Sequence, residues 1–187
     1  MTKIKICGLV MPSDIQYVNK YLPDYIGFVF APSKRQITFE TAKELKQALN
    51  PAIKAVGVFV DEAHENIIKL VNENIIDIVQ LHGSENEEYI LALRQKVSAP
   101  IIKVNAAGGD YILFDNSSGG SGKTFNWDTI KTAKGSFLAG GLNASNVEAA
   151  IKKLNPYCVD LSSGVETDGK KDAAKIKEII NIVRGIK

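Results

Sequence analysis

The chain has 187 residues, 45% hydrophobic and 24% charged, which is the balance of a globular domain and not of a disordered or fibrous chain. A formal net charge of +2, with no long basic cluster and no aromatic-basic stripe, gives no footprint for nucleic acid. No apolar run reaches the length of a membrane span, and the first eight residues lack the apolar core of a signal peptide. Two cysteines, Cys7 and Cys158, are too few for a disulfide scaffold. With only His64 and His82 beside them they make no metal-ligand spacing. The expectation is a cytoplasmic protein with free thiols, no metal, no nucleic-acid partner and no membrane partner.

In chain order, short β-branched runs alternate with helical patterns. Residues 3–7 and 25–30 read as the first two strands. A helix over 38–49 follows, with Thr38 as N-cap and Ala42, Leu45 and Leu49 at helical spacing. Strands are expected at 54–60, 76–81, 101–104, 111–115 and 136–139, then a helix over 143–154. A strand at 157–161 and a helix over 172–183 close the series. Ile26-Gly-Phe-Val-Phe and Val56-Gly-Val-Phe-Val are apolar almost throughout, as strands covered on both faces are. No linker or low-complexity tract interrupts the pattern, so residues 1–187 are expected to form one domain.

Eight strands in this order predict a (β/α)8 TIM barrel, with an open sheet as the alternative. Such barrels have typically about 250 residues and rarely fewer than about 200, so this one is small. The shortage falls between strands five and six, where only residues 105–110 intervene. The helix after strand five is therefore expected to be missing.

Active sites of such barrels lie at the C-terminal strand ends, and the chemically distinctive residues gather there. Cys7 ends strand one, beside Gly8. Lys34 and Arg35 follow strand two, His82 ends strand four and Asp115 ends strand six. Gly140 and Gly141 follow strand seven, and Ser162, Ser163 and Gly164 follow strand eight. Each has a plainer reading. Cys7 is a small buried hydrophobe, Asp115 a cap, Arg35 a solvated surface charge and His82 a loop-orienting group. Position at the barrel mouth favours the chemical reading for Cys7 and Asp115. Cys158, at the start of strand eight, belongs to the bottom of the barrel and reads as core.

The stretch Ser117-Ser-Gly-Gly-Ser-Gly-Lys-Thr124 suggests a nucleotide loop, but the leading glycine of that motif is replaced by Ser117. A lid over the mouth, or a loop near a phosphate, fits better. The loops after strands seven and eight are the usual phosphate cradle of the fold. Gly140, Gly141 and Gly164 let backbone N–H groups approach an anion without a Cβ in the way, Ser163 adds a hydroxyl, and helix N-termini near Asn143 and Asp172 add positive dipole ends.

Together, Lys5-Ile-Cys-Gly8, Gly27-Phe-Val-Phe-Ala-Pro-Ser-Lys-Arg35, Val56-Gly-Val-Phe-Val60, Val79-Gln-Leu-His-Gly83, Gly119-Gly-Ser-Gly-Lys-Thr-Phe125, Ala139-Gly-Gly-Leu142 and Asp160-Leu-Ser-Ser-Gly-Val-Glu166 resemble the motif series of the phosphoribosylanthranilate isomerases. The resemblance spans nearly the whole chain, in the family's order. It implies a (β/α)8 barrel in tryptophan biosynthesis that carries out an Amadori rearrangement of a phosphosugar, with no cofactor. It assigns Cys7 as general base, with a thiol pKa near neutral once activated, and Asp115 as general acid, with a raised pKa. It gives Arg35 to the anthranilate carboxylate; from their places at the barrel mouth His82 is expected to bind substrate, and Gly140, Gly141, Ser163 and Gly164 the phosphate. Another phosphosugar isomerase or epimerase, or a non-catalytic phosphate binder, are the alternatives. Monomer and homodimer stay open. The missing helix departs from the family pattern, and none of the residues assigned a role falls in the gap.

Overall fold

The computed structural model describes residues 1–115, 130 and 135–186. Eight parallel strands close into a barrel in the order β1 to β8. They are β1 (Lys3–Cys7), β2 (Tyr25–Val29), β3 (Lys54–Phe59), β4 (Ile78–Leu81), β5 (Ile101–Val104), β6 (Tyr111–Phe114), β7 (Phe137–Leu138) and β8 (Cys158–Leu161). Outside them lie α1 (Pro12–Tyr21), α2 (Phe39–Ala48), α3 (His64–Asn72), α4 (Glu87–Arg94), α5 (Val147–Leu154) and α6 (Ala173–Gly185). The expected strands are all present, the later ones shorter than the apolar runs suggest.

Alternation along each strand divides the core into two layers. Ile4, Ile6, Ile26 and Phe28 face outward and pack with helix residues such as Ile15, Val18, Ile176 and Ile179. Val56, Ile78, Ile102, Leu113, Phe137 and Cys158 pack together without helix residues, inside the barrel. Most strands are thus buried on both faces, which is why their runs are apolar, while β6, beside the missing helix, is buried only in part. Thr38 caps α2 by accepting from Thr41 N, an interaction worth about 1 kcal/mol. α5 begins at Val147, later than expected, because Asn143 and Asn146 hold residues 143–146 in a capped turn: Asn146 Oδ1 accepts from Asn143 N, and Asn143 Oδ1 from Ser145 N.

The missing helix after β5 is borne out: residues 105–110 join β5 to β6 directly, and the two strands pair in parallel, Ile102 opposite Tyr111. A six-residue chain spans up to about 20 Å, while a four-residue strand is about 13 Å long, so a return without a helix is possible. The loop lies flat on the sheet. A Cβ at Gly109 would meet Ile101 O at 2.7 Å and Lys103 N at 2.8 Å. Asp110 accepts from Ile101 N at 2.8 Å, and Arg94 of α4 donates to Asp110 and to Gly108 O.

One element was not expected. β9 (Glu166–Thr167) and β10 (Lys170–Lys171) form an antiparallel ribbon between β8 and α6. Asp168 and Gly169 turn it with φ of 51° and 74°. Asp-Gly is the signature of a tight hairpin whose two central residues need positive φ.

Candidate active site

Going up the barrel interior, the lining changes from aromatic to apolar to charged. Tyr25, Tyr111 and Tyr157 pack against the lower interior cluster. Above them Lys5 on β1, Gln80 on β4 and Asp160 on β8 meet inside the barrel. Lys5 Nζ donates to Asp160 Oδ2 at 2.7 Å and to Gln80 Oε1 at 2.9 Å. Cys7 stands two residues above Lys5 on the same face of β1 and is partly exposed. Its thiol lies over β2 where a Cβ on Gly27 would come within 2.6 Å of Sγ, so glycine at 27 makes room for it.

The pKa of Cys7 is pushed up, chiefly by burial. Lys5 and Lys171 pull it down, and Asp160 adds to the rise. The direction is upward, so a near-neutral thiol requires activation beyond what burial provides.

At the same end of the barrel, Asp115 directly follows β6. His82 Nε2 lies 3.5 Å from Asp115 Oδ2. The other ring nitrogen of His82 is 3.4 Å from Gln80 Nε2. Burial first, then the charge of Lys5, lowers the pKa of His82, so the ring is neutral at pH 7. The backbone of Asp115 is clamped by Asn105: its N–H donates to Asn105 Oδ1, and its carbonyl accepts from Asn105 Nδ2, each at 3.0 Å. Asn105 is the first residue of the shortened loop and holds φ at 53°. The gap thus does contain a residue that bears on the site.

Arg35 crosses the mouth from the β2 side. Its stem lies against Gly8, whose φ is 81° and where a Cβ would collide with the Arg35 side chain. Its Nε and Nη2 donate to Glu166 Oε1 and Oε2 at 2.7 and 2.8 Å, a bidentate pair. The Nη1 hydrogens and the second Nη2 hydrogen remain for a further carboxylate. Lys171 donates to Glu166 at 2.7 Å and to Ser162 O at 3.2 Å, and Ser162 Oγ donates to Cys7 O at 3.0 Å. The ribbon β9–β10 thereby ties Arg35, β8 and the end of β1 together. Sequence reasoning gave Glu166, Lys171, Lys5, Gln80 and Asn105 no role. Only the Asp-Gly turn of the ribbon carried a readable signal.

After β7, Gly140 and Gly141 hold φ of 90° and 69°, which glycine adopts without strain. After β8, Ser163 and Gly164 lie in a 3-10 turn, Ser163–Val165. The two loops touch: a Cβ at Gly164 would collide with the carbonyl of Leu142. Glycine at 164 therefore has a packing reason, and a methyl group there would strike the neighbouring loop and not an anion. The candidate lid, 117–124, lies outside the described residues. Among the described residues, no group of His, Cys, Asp and Glu is arranged to hold a metal ion, and no helix is long and apolar enough to cross a membrane.

Comparison with known proteins agrees with this geometry. A family model described as N-(5'phosphoribosyl)anthranilate (PRA) isomerase matches residues 4–182. The N-(5'-phosphoribosyl)anthranilate isomerase of Endomicrobium trichonymphae is 48% identical over 200 residues, covering all of both chains. Among solved structures, monomers of the dimeric phosphoribosylanthranilate isomerase from Thermotoga maritima superpose with a TM-score of 0.83 at 34% identity, covering all of both chains. Another phosphoribosyl anthranilate isomerase, in complex with reduced 1-(o-carboxyphenylamino)-1-deoxyribulose 5-phosphate, gives 0.82 at 33% identity, again over all of both chains. With the family model spanning nearly the whole chain and a relative at this identity, the chain belongs to the N-(5'-phosphoribosyl)anthranilate isomerase family.

Proposed function

We propose that the chain converts N-(5-phosphoribosyl)anthranilate into 1-(2-carboxyphenylamino)-1-deoxyribulose 5-phosphate by general acid–base catalysis. The observation that carries the reading is the meeting of Cys7 and Asp115 at one barrel mouth, on β1 and β6, beside the loops after β7 and β8. A protonated Asp115 gives its proton to the furanose oxygen as the C1–O bond breaks, leaving an iminium at C1. The Cys7 thiolate then takes the C2 proton. An S–H bond forms, and the C2–H electron pair becomes the C1–C2 double bond and neutralises the iminium. Tautomerisation of the resulting enol gives the ketose.

Arg35 receives the anthranilate carboxylate on the donors that Glu166 leaves, and His82, neutral, lies against the substrate beside Asp115. Gly140, Gly141, Ser163 and Gly164 take the phosphate, Gly164 through its backbone. The substrate is thus a small phosphosugar. The reading extends to a single domain over 1–187, a cytoplasmic location and a monomer or homodimer; a dimer is supported by the dimeric Thermotoga maritima relative.

Purified protein should consume phosphoribosylanthranilate, followed as loss of its fluorescence. Cys7→Ser and Asp115→Asn should each lower kcat at least about a hundredfold with the fold intact, the usual worth of a positioned acid or base. Near-normal turnover in either variant removes that residue from the mechanism.

A further inference from the structure

The most unusual group in the barrel is Lys5. It is fully buried, with 0% exposure, and the reaction described above gives it nothing to do. Packing does not account for it. The interior cluster next to it is apolar, with Val56, Ile78, Ile102, Leu113 and Phe137, and a buried ion pair is seldom more stabilising than apolar side chains of the same volume. The pair is also imperfect. Asp160 uses Oδ2 for Lys5, while its buried Oδ1 has no hydrogen-bond partner among the described residues. Such an orphaned oxygen is a cost that folding alone gives no reason to keep.

Register fixes where this pair points. Lys5 lies opposite Asp160 in the β1–β8 pairing, and Cys7 follows Lys5 by two residues, so both side chains project from the same face of β1 into the barrel. Two of the three ammonium hydrogens go to Gln80 and Asp160. Burial disfavours the charge on Lys5, but Asp160 and Cys7 together outweigh it, and the side chain stays an ammonium.

We propose that Lys5 is a positioning residue for Cys7: its ammonium, held in place by Asp160 and Gln80, is the counter-ion against which the thiolate forms. The inference rests on Cys7 being the base. Asp160 and Gln80 leave one ammonium hydrogen over, and Lys5, two residues below Cys7 on the same strand face, is the largest of the charges that lower the pKa of the thiol. The other charged groups around Cys7 come from different elements. Lys171 of β10 and Arg35 after β2 share Glu166, a set with one net positive charge. Asp160 on β8 opposes the thiolate directly, while holding the lysine that favours it. His82 and Asp115 complete the mouth. Lys5 and Asp160 therefore push the thiol in opposite directions.

That opposition is the test. The pH dependence of iodoacetamide alkylation, with peptide mapping to assign label to Cys7, reads the ionisation of the thiol in the whole protein without turnover. Lys5→Met should move the midpoint upward and slow alkylation near neutral pH by at least about tenfold, the size of shift an adjacent opposite charge produces. Asp160→Asn should move it downward. If Lys5→Met does not fold because Asp160 is left unpaired, the Lys5→Met/Asp160→Asn double variant removes both charges, and its midpoint should still lie above the wild type. Unchanged midpoints, or single variants shifting in the same direction, overturn the proposal, since a structural role has no reason to give opposite signs. Whether Cys7 is the base is read separately from the turnover of Cys7→Ser, so the two ideas fail by different measurements.

Discussion

Asn105 makes with its side chain the two hydrogen bonds that a neighbouring strand would make with its backbone, and it makes them to the residue assigned as the acid. Beyond Val104 the backbone of Asn105 also donates to Leu113 O at 2.9 Å, but only the side-chain clamp reaches Asp115 from this loop. Asn105→Gly separates clamp from backbone strain, because glycine adopts φ near 53° freely while Asn105→Ala adds strain there. Both variants should lower kcat by about tenfold or more, as small misplacements of catalytic groups do, with KM little changed. The glycine variant should be the more stable of the two. A glycine variant with wild-type kcat would show that Asp115 needs no such support. This residue was invisible in the sequence because a lone Asn in a Gly/Ala loop reads as a turn former. Cys7, Asp115 and His82 were legible because a strand end is a position, and positions follow from periodicity. Lys5 was not. In Lys-Ile-Lys-Ile-Cys the alternating lysines read as a wet face, and only closure of the barrel turns that face inward.

At the scale of elements, the ribbon β9–β10 was missed although Asp168-Gly169 announces it, since each arm is only two residues long and carries no hydrophobic alternation. Its function follows from Glu166, which joins Arg35 and Lys171. Burial alone would raise the Glu166 pKa, but hydrogen bonds from Arg35 and Lys171 prevail and hold it at about 2, against an ordinary 4.5. A depressed carboxylate contributes stability that is fully present above its unfolded pKa and lost as the pH falls through the folded one. Glu166→Gln should therefore be less stable than the wild type at neutral pH by on the order of 2–3 kcal/mol, with the difference shrinking below pH 4.5 and largely gone near pH 2. Urea unfolding of both proteins across that range measures it. A difference independent of pH would mean that the ion pairs are not its source. The same variant should raise KM more than it lowers kcat, because Arg35 loses the partner that fixes its plane.

For the whole molecule, the barrel separates its two tasks by height. The mouth carries Cys7, Asp115, Arg35 and the loops after β7 and β8. The base is closed by Tyr25 and Tyr157, whose hydroxyls are 2.8 Å apart, and by Tyr111, stacked on Tyr157 at 5.4 Å. Cys158 belongs to the base. It is fully buried, faces the interior at the first residue of β8, pairs in register with Phe137 and lies one layer below Lys5 and Asp160. Burial pushes its thiol well above the ordinary value, so in the folded protein it is neither accessible nor ionised. Two results follow. Cys158→Ala should cost about 1 kcal/mol of stability, the loss for one buried heavy atom, with kcat within about twofold of the wild type. In the native protein Cys158 should resist alkylation at pH values where Cys7 reacts, and should become labelled only as the barrel unfolds, tracking the denaturation curve. A stably folded Cys158→Ala protein with a large loss of kcat, or a Cys158 that labels as fast as Cys7 in the native state, would place this thiol near the chemistry and show the assignment of mouth and base to be inverted.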